Sequence, residues 1–141
     1  MRKTLLVLEL LLLLASTAAA QGKGKSWLRG SWEGTGYQTD SAGDNTWPMT
    51  LTIKRIKSGR RAFSIEYPSL NCGGRWKLLS INGREARFRE MLDHGQDKCS
   101  DKGLVLIERK GRQLIFLYSN QGSREITASA VLNRKGAASK Q

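Results

Sequence analysis

Histidine, cysteine and acidic residues are all scarce in this chain of 141 residues. His94 is the only histidine, there are two cysteines, and 12 Asp and Glu stand against 24 Lys and Arg. So few histidine and thiolate ligands argue against a metal centre. A single loop histidine without a G-x-S-x-G or comparable nucleophile setting also argues against a catalytic triad. We therefore expect no catalytic residues, no metal and no cofactor.

Proline and long apolar runs are also rare. Two prolines and 15 glycines describe a chain that is rich in turns but neither collagen-like nor disordered. The long apolar run of the chain is confined to its first 20 residues. Together with a length typical of one domain, these features exclude a multi-domain enzyme, a polytopic membrane protein and a long coiled coil.

The first 20 residues have the three parts of a secretory signal peptide. Met1, Arg2 and Lys3 open the chain, residues 5–15 are mostly apolar, and residues 16–20 are small. A membrane anchor is the alternative, but Glu9 interrupts a run that is shorter than the roughly 20 residues of a span. We therefore expect a signal peptide at 1–20, export to the periplasm or the medium, and no transmembrane anchor after cleavage.

The number of cysteines is consistent with an exported protein. Cys72 and Cys99 form an even pair in a short secreted domain, which indicates one disulfide. On the chain-entropy account, a bridge across 27 residues stabilises the fold by roughly 3–4 kcal/mol. A metal site or a catalytic thiol would need further ligands or a partner histidine, and the sequence supplies only His94.

Alternation of apolar and polar residues dominates from Trp27 onward. It predicts eight successive strands, at 30–38, 47–57, 61–67, 75–81, 84–92, 104–109, 113–118 and 125–132. A bulge near Arg55 and a type I′ turn at Asn82-Gly83 are expected. The predicted fold is all-β: an eight-stranded antiparallel up-and-down barrel at 30–134, with a two-sheet sandwich as the alternative. Residues 21–29 are expected to be a basic linker and 135–141 a disordered tail.

Alternation also predicts which side chains fill the barrel. The expected interior residues are Leu51, Ile53, Phe63, Leu78, Phe88, Leu106, Phe116 and Ile126. Glu66 alternates with apolar residues and should face outward. Glu90 shares its parity with Phe88, so it should point inward or lie near the end of its strand, most simply as a partnered structural carboxylate.

An up-and-down barrel places alternate connections at opposite ends. The tight turns after strands two, four and six gather at one end, which we call the basic end. Its basic residues are Lys54, Arg55, Lys57, Arg60, Arg61, Arg84, Arg109, Lys110 and Arg112. The longer connections at 39–46, 68–74, 93–103 and 119–123 gather at the other end, the mouth, which is polar and richer in aspartate. Asp93, Asp97 and Asp101 lie there, but their spacing does not fit a calcium loop.

Two stretches resemble known families. Gly30, Trp32 and the glycines after them are similar to the Gly-x-Trp start of lipocalin- and avidin-like barrels. Residues 66–74 (EYPSLNCGG), 86–90 (ARFRE) and 95–99 (GQDKC) resemble an uncharacterised extracytoplasmic β domain of bacteria. That domain occurs alone after a signal peptide or at the end of Ser/Thr kinases and caspase-like proteins. The resemblance implies class and compartment, and it implies no chemistry.

The mouth is the predicted site of recognition, because its loops are longer than hairpins require and the disulfide would restrain two of them. The candidate binding residues are Trp47, Tyr67, Asn71, Trp76, His94, Gln96 and Asp97. The expected function is a secreted or periplasmic, non-enzymatic binding module that recognises a ligand or partner through the loops at the open end of the barrel. The alternatives are an inhibitor or interaction partner of an envelope or extracellular protein, or a binder of anionic envelope polymers through the basic end. Export and the lack of a nucleic-acid-binding motif argue against a nucleic-acid partner.

Overall fold

The fold is a closed eight-stranded barrel in a computed structural model that describes residues 23–39, 45–54 and 63–136. Every strand pairs antiparallel with its neighbours in sequence, and β1 closes the barrel against β8. The strands are β1 (Gly30–Gln38), β2 (Thr46–Ile53), β3 (Phe63–Tyr67), β4 (Cys72–Ile81), β5 (Glu85–His94), β6 (Leu104–Lys110), β7 (Gln113–Ser119) and β8 (Ala128–Arg134). The predicted up-and-down barrel is confirmed, and the sandwich is excluded.

Alternate side chains along each strand are buried, and together they fill the interior of the barrel. In β3, Phe63, Ile65 and Tyr67 are buried while Ser64 and Glu66 are exposed, so the outward orientation of Glu66 is confirmed. Such alternation follows from the two-residue period of a strand, which sends neighbouring side chains to opposite faces. The packed interior buries large residues from every strand and a short helix before β1.

Two predicted interior residues lie elsewhere. Leu106 was expected inside, but Val105 and Ile107 face the interior and Leu106 faces outward. Every residue from Leu104 to Ile107 is apolar, so the sequence offers no polar partner that would set the parity. Ile126 was expected inside as well, but it lies in the connection before β8 and is 40% exposed.

The connection between β4 and β5 is not the predicted type I′ turn. Neither Asn82 nor Gly83 has the positive φ that a type I′ turn requires. Instead, the Asn82 side-chain oxygen accepts hydrogen bonds from the backbone amides of Arg84 and Glu85, at 2.8 and 3.0 Å. The asparagine thus shapes a longer turn through its own side chain. The bulge expected near Arg55 lies outside the described residues, whereas β4 has register irregularities at Gly73/Gly74 and Leu78/Ser80.

A short 3₁₀ helix, η1 (Lys23–Leu28), packs into the basic end of the barrel. Leu28 is fully buried, and the Trp27 indole nitrogen donates a hydrogen bond to the Asn82 carbonyl at 3.0 Å. The Trp32 indole nitrogen donates to the Leu28 carbonyl at 2.9 Å. Residues 21–29 were expected to be a linker, but 23–28 form this helix because Trp27 and Leu28 bury apolar surface that an extended linker would leave in water.

The ends of the chain are described in part. The backbone amide of Lys135 donates to the Ser31 carbonyl, so order extends one residue into the predicted tail. The predicted signal peptide at 1–20 and residues 137–141 lie outside the described residues. Within the described residues, no helix is long and apolar enough to cross a membrane.

Candidate functional site

A cavity of about 330 Å³ opens at the mouth of the barrel. All four connections at this end, or the strand ends beside them, contribute to its wall. The lining residues are Gln38, Asn45, Thr46, Trp47, Tyr67, Leu70, Glu90, Lys98, Cys99, Ser100, Phe116, Tyr118, Asn120, Thr127 and Ala128. The cavity therefore combines aromatic rings with hydroxyl and amide groups, which is the mixture found in small-molecule sites.

A buried carboxyl group forms part of the inner wall of the cavity. Glu90 in β5 is 2% exposed, and its Oε2 accepts two hydrogen bonds. The Tyr67 hydroxyl donates one at 2.7 Å, and the Trp76 indole nitrogen donates the other at 2.9 Å. The predicted inward orientation and partnered state of this carboxyl are confirmed. Because both donors use Oε2, Oε1 remains for a further donor.

Burial shifts the ionisation of this group and of the tyrosines near it. Desolvation raises the pKa of Glu90 above its ordinary value of 4.5, while the bonds from Trp76 and Tyr67 oppose that rise. Burial, reinforced by the negative charge of Glu90, also raises the pKa of Tyr67 well above its ordinary value. The pKa of Tyr118 is raised for the same two reasons. Both tyrosines are therefore neutral hydrogen-bond donors near pH 7.

Aromatic rings of β7 form the part of the cavity wall next to Glu90. Trp76 stacks on Phe116 with ring centroids 5.8 Å apart, and Phe116 stacks on Tyr118 at 6.4 Å. The ring of Tyr118 lies so close to Gly103 that a Cβ there would overlap it, and its hydroxyl donates to the Ser100 carbonyl at 3.2 Å. These contacts place an aromatic surface beside Glu90.

Trp47 forms the wall on the β1–β2 side. Its indole packs directly over Gly36, where any larger side chain would collide with the ring. The indole nitrogen is enclosed and has no hydrogen-bond partner among the described residues. Glycine at position 36 thus lets a rim tryptophan lie flat against the strand.

The disulfide holds the β5–β6 connection against the barrel. Cys72 and Cys99 are bonded, with Cα atoms 6.5 Å apart, so the predicted disulfide is confirmed. Cys72 is the first residue of β4, and Cys99 lines the cavity between Lys98 and Ser100. The bridge therefore fixes the part of the loop that contributes to the cavity.

The structure brings two of the seven candidate residues to the cavity. Trp47 and Tyr67 line it, and their role as contact residues stays a prediction. Trp76 was expected near the rim, but it is 3% exposed and belongs to the core, where it supports Glu90 from behind the lining. Because β4 begins three residues earlier than predicted, Trp76 is the fifth residue of the strand and lies deep in the barrel.

The other four candidates lie around the mouth but outside the lining. Asn71 is an exposed residue with positive φ that ends the 3₁₀ helix η2 (Pro68–Leu70). The His94 ring lies on the outer face, 3.6 Å from the Glu66 carboxylate. The Gln96 side chain donates to the Leu92 carbonyl, and Asp97 is exposed. These residues shape the loops or face solvent.

The described aspartates of the mouth do not converge on one point. Asp101 accepts hydrogen bonds from the Leu92 and Lys102 amides, and Asp93 lies 3.7 Å from Arg75. Among the described residues, no group of three or more histidine, cysteine, aspartate or glutamate side chains could hold a metal ion.

The basic end is described only in part. Lys54, Arg84, Arg109, Lys110 and Arg112 are exposed, whereas Arg55, Lys57, Arg60 and Arg61 lie outside the described residues. The described positive side chains therefore face solvent, and they are separated from the mouth by the length of the barrel.

Sequence reasoning missed several lining residues. Glu90 could have been chosen from its parity with Phe88, since an acidic residue at an interior position needs a reason to be there. Tyr118 shares the interior parity of Phe116, and Lys98 adjoins a cysteine. The contributions of Gln38, Thr127 and Ala128 had no sequence signal, because they depend on β1 closing against β8.

Comparisons of the chain with protein-family models, with curated protein sequences and with solved structures found no match. The function is therefore inferred from the residues and geometry of the cavity.

Proposed function

We propose that this protein is an exported, non-enzymatic binding module that holds a small molecule in the cavity at its mouth. The observation that supports this proposal is a cavity of about 330 Å³ with a hydrogen-bonded carboxyl group in its wall. The volume lies at the small end of the range typical of ligand sites, about 300–1,000 Å³. One small molecule suits it better than a segment of a polymer.

The distribution of residues favours a ligand inside the barrel over a protein partner on its loops. Below the cavity the barrel is packed with side chains, whereas the interior at the mouth is open. A module that recognised a protein through its loops alone would gain nothing from an open interior. Rings from β2, β3 and β7 meet there, and they supply apolar contact area at low conformational cost.

The chemistry of the lining supports binding over catalysis. Cys99 is held in the disulfide, both buried tyrosines are neutral near pH 7, and His94 lies on the outer face. Glu90 is fixed by two donors, which suits a group that positions a ligand. Export is proposed from the first 20 residues and agrees with a disulfide.

A panel of small molecules tests this function. Amines, alcohols and carboxylates on shared benzyl, cyclohexyl and isobutyl skeletons would be screened against the mature protein by ligand-observed NMR. We expect members of the panel to bind, and Ala128→Phe to abolish binding because Ala128 lines the cavity. Ser129→Phe is the matched control, since the next residue of β8 points outward.

Two outcomes would overturn the proposal. Either no member of the panel binds, or binding survives Ala128→Phe in a folded protein. If instead the protein binds an anionic polymer, and charge reversal at Arg84 and Arg112 abolishes that binding while Ala128→Phe does not, recognition occurs at the basic end.

A further inference from the structure

Glu90 is the only charged side chain that is buried among the described residues. The ion pairs of the described chain lie at the surface, and none of them includes Glu90. Buried charged groups in proteins are normally paired with an opposite charge or with a metal ion. Glu90 has neither within the described residues.

The described residues in contact with the Glu90 carboxyl group are uncharged. Tyr67 and Trp76 are neutral donors, and both bond to Oε2. Tyr118 directs its hydroxyl to the Ser100 carbonyl. Lys98 is the only basic residue among the described lining residues, but it is exposed and makes no ion pair with Glu90.

The cavity itself gives access to the carboxyl group. Glu90 belongs to the lining, and the two protein donors leave Oε1 free of their bonds. The rings of Trp47, Phe116 and Tyr118 also line the space. Aromatic faces attract organic cations as well as apolar groups. The wall therefore complements a ligand with a positive group and an apolar body.

We propose that the ligand is a small amine, whose ammonium group donates to the Glu90 carboxylate and whose apolar part contacts the surrounding rings. This inference rests on the proposed function and adds the chemical class of the ligand. An ammonium supplies a positive charge, which the described neighbours of Glu90 lack, and a donor for Oε1. A bond between two charged groups is also stronger than one between neutral groups.

The same panel tests the inference through matched sets. Benzylamine, benzyl alcohol and benzoate have similar bodies and differ in the charge of one group, and the cyclohexyl and isobutyl sets repeat the comparison. We expect each binding amine to bind about tenfold or more tightly than its alcohol, the difference expected for a charge-assisted bond. The carboxylates should bind more weakly than the alcohols, because they place a second negative charge beside Glu90.

Two matched variants test whether Glu90 is the group responsible for the preference for amines. Glu90→Gln keeps the shape and an acceptor for Tyr67 and Trp76, and it should remove the preference for amines while alcohol binding persists. Glu66→Gln makes the same chemical change on the outer face of β3 and should leave the preference unchanged. Retained alcohol binding shows that Glu90→Gln is folded. If that variant does not fold, the selectivity of the unmodified protein decides the question.

The pH dependence provides a second readout. Amine affinity should fall as the pH is lowered and Glu90 takes up a proton. The ionisable groups around Glu90 are Tyr67 of β3, Tyr118 of β7, and Lys98 and Asp101 of the β5–β6 connection. Both tyrosines stay neutral through the acidic range, and Asp101→Asn is the control for the other acidic group near Glu90.

The outcomes separate this inference from the proposed function. If alcohols or carboxylates bind as tightly as amines, the amine assignment is wrong although the cavity binds small molecules. If the amine preference survives in Glu90→Gln, another group recognises the charge and the assignment is also wrong. If nothing in the panel binds, the proposed function itself fails.

Discussion

Leu28 is predicted to hold the basic end of the barrel closed. It is the last residue of η1 and is fully buried in the core. Leu28→Ala removes three carbon atoms, worth about 2.4 kcal/mol of burial at about 0.8 kcal/mol each. The cavity left behind adds to this, so we expect a loss of about 3–4 kcal/mol in the free energy of unfolding.

Urea unfolding of the protein, followed by tryptophan fluorescence, measures this loss. Trp27→Phe keeps a six-membered aromatic ring but removes the hydrogen bond to Asn82 and three ring atoms, so it should cost at least about 1 kcal/mol. Arg29→Ala is the control at the adjacent position. Its side chain is exposed, and the bond from Arg134 goes to its backbone carbonyl, which the substitution keeps.

We expect Arg29→Ala to change stability by less than about 0.5 kcal/mol. If Leu28→Ala costs no more than this control, residues 23–28 are not part of the cooperative core. The original expectation of a linker at 21–29 would then be right for this segment, and the description of η1 as a structural element would be refuted.

Two further predictions concern the disulfide and the buried carboxyl group. Replacing Cys72 and Cys99 together by serine should lower the free energy of unfolding by about 3–4 kcal/mol, measured in urea, and a loss below about 1 kcal/mol would contradict the loop-closure account. Since the pKa of Glu90 is raised on folding, its contribution to stability is fully present below pH 4.5 and is lost as the pH rises through the folded-state pKa. The stability of the unmodified protein should therefore fall relative to Glu90→Gln as the pH rises above 4.5 and through the folded-state pKa, and parallel pH profiles of the two proteins would show that burial does not shift this group.

Much of the barrel could be predicted because local pattern and global fold agree. β1 has the predicted bounds, and most other strands differ from prediction by one to three residues at either end. For β2 and β3 the comparison is partial, because the predicted end of β2 at 57 and the predicted start of β3 at 61 lie outside the described residues. The face and the start were hardest to predict in less regular segments, such as the one around Ile126. A period of two identifies the face of a strand only where polar residues mark the opposite face, and β6 lacks them at its start.

The turn at Asn82 shows a different limit. Asn-Gly between two strands favours a two-residue hairpin on sequence statistics. The amide side chain of Asn82 instead bonds the backbone of Arg84 and Glu85, and Trp27 of η1 bonds the Asn82 carbonyl. A contact from a segment 55 residues away thus stabilises the conformation that the chain adopts.

The sequence by itself determined the fold class, the disulfide and the end of the barrel at which the cavity opens. These follow from alternation, from an even number of cysteines and from the order of long and short connections, all of which are local properties of the chain. Only the tertiary structure decided which side chains meet. Glu90, Tyr67 and Trp76 lie on three different strands, and residues of β1 and β8 share the cavity wall because the barrel closes. The physical reason is that closure and strand register bring together residues far apart in the chain, whereas periodicity states only the face on which each residue lies.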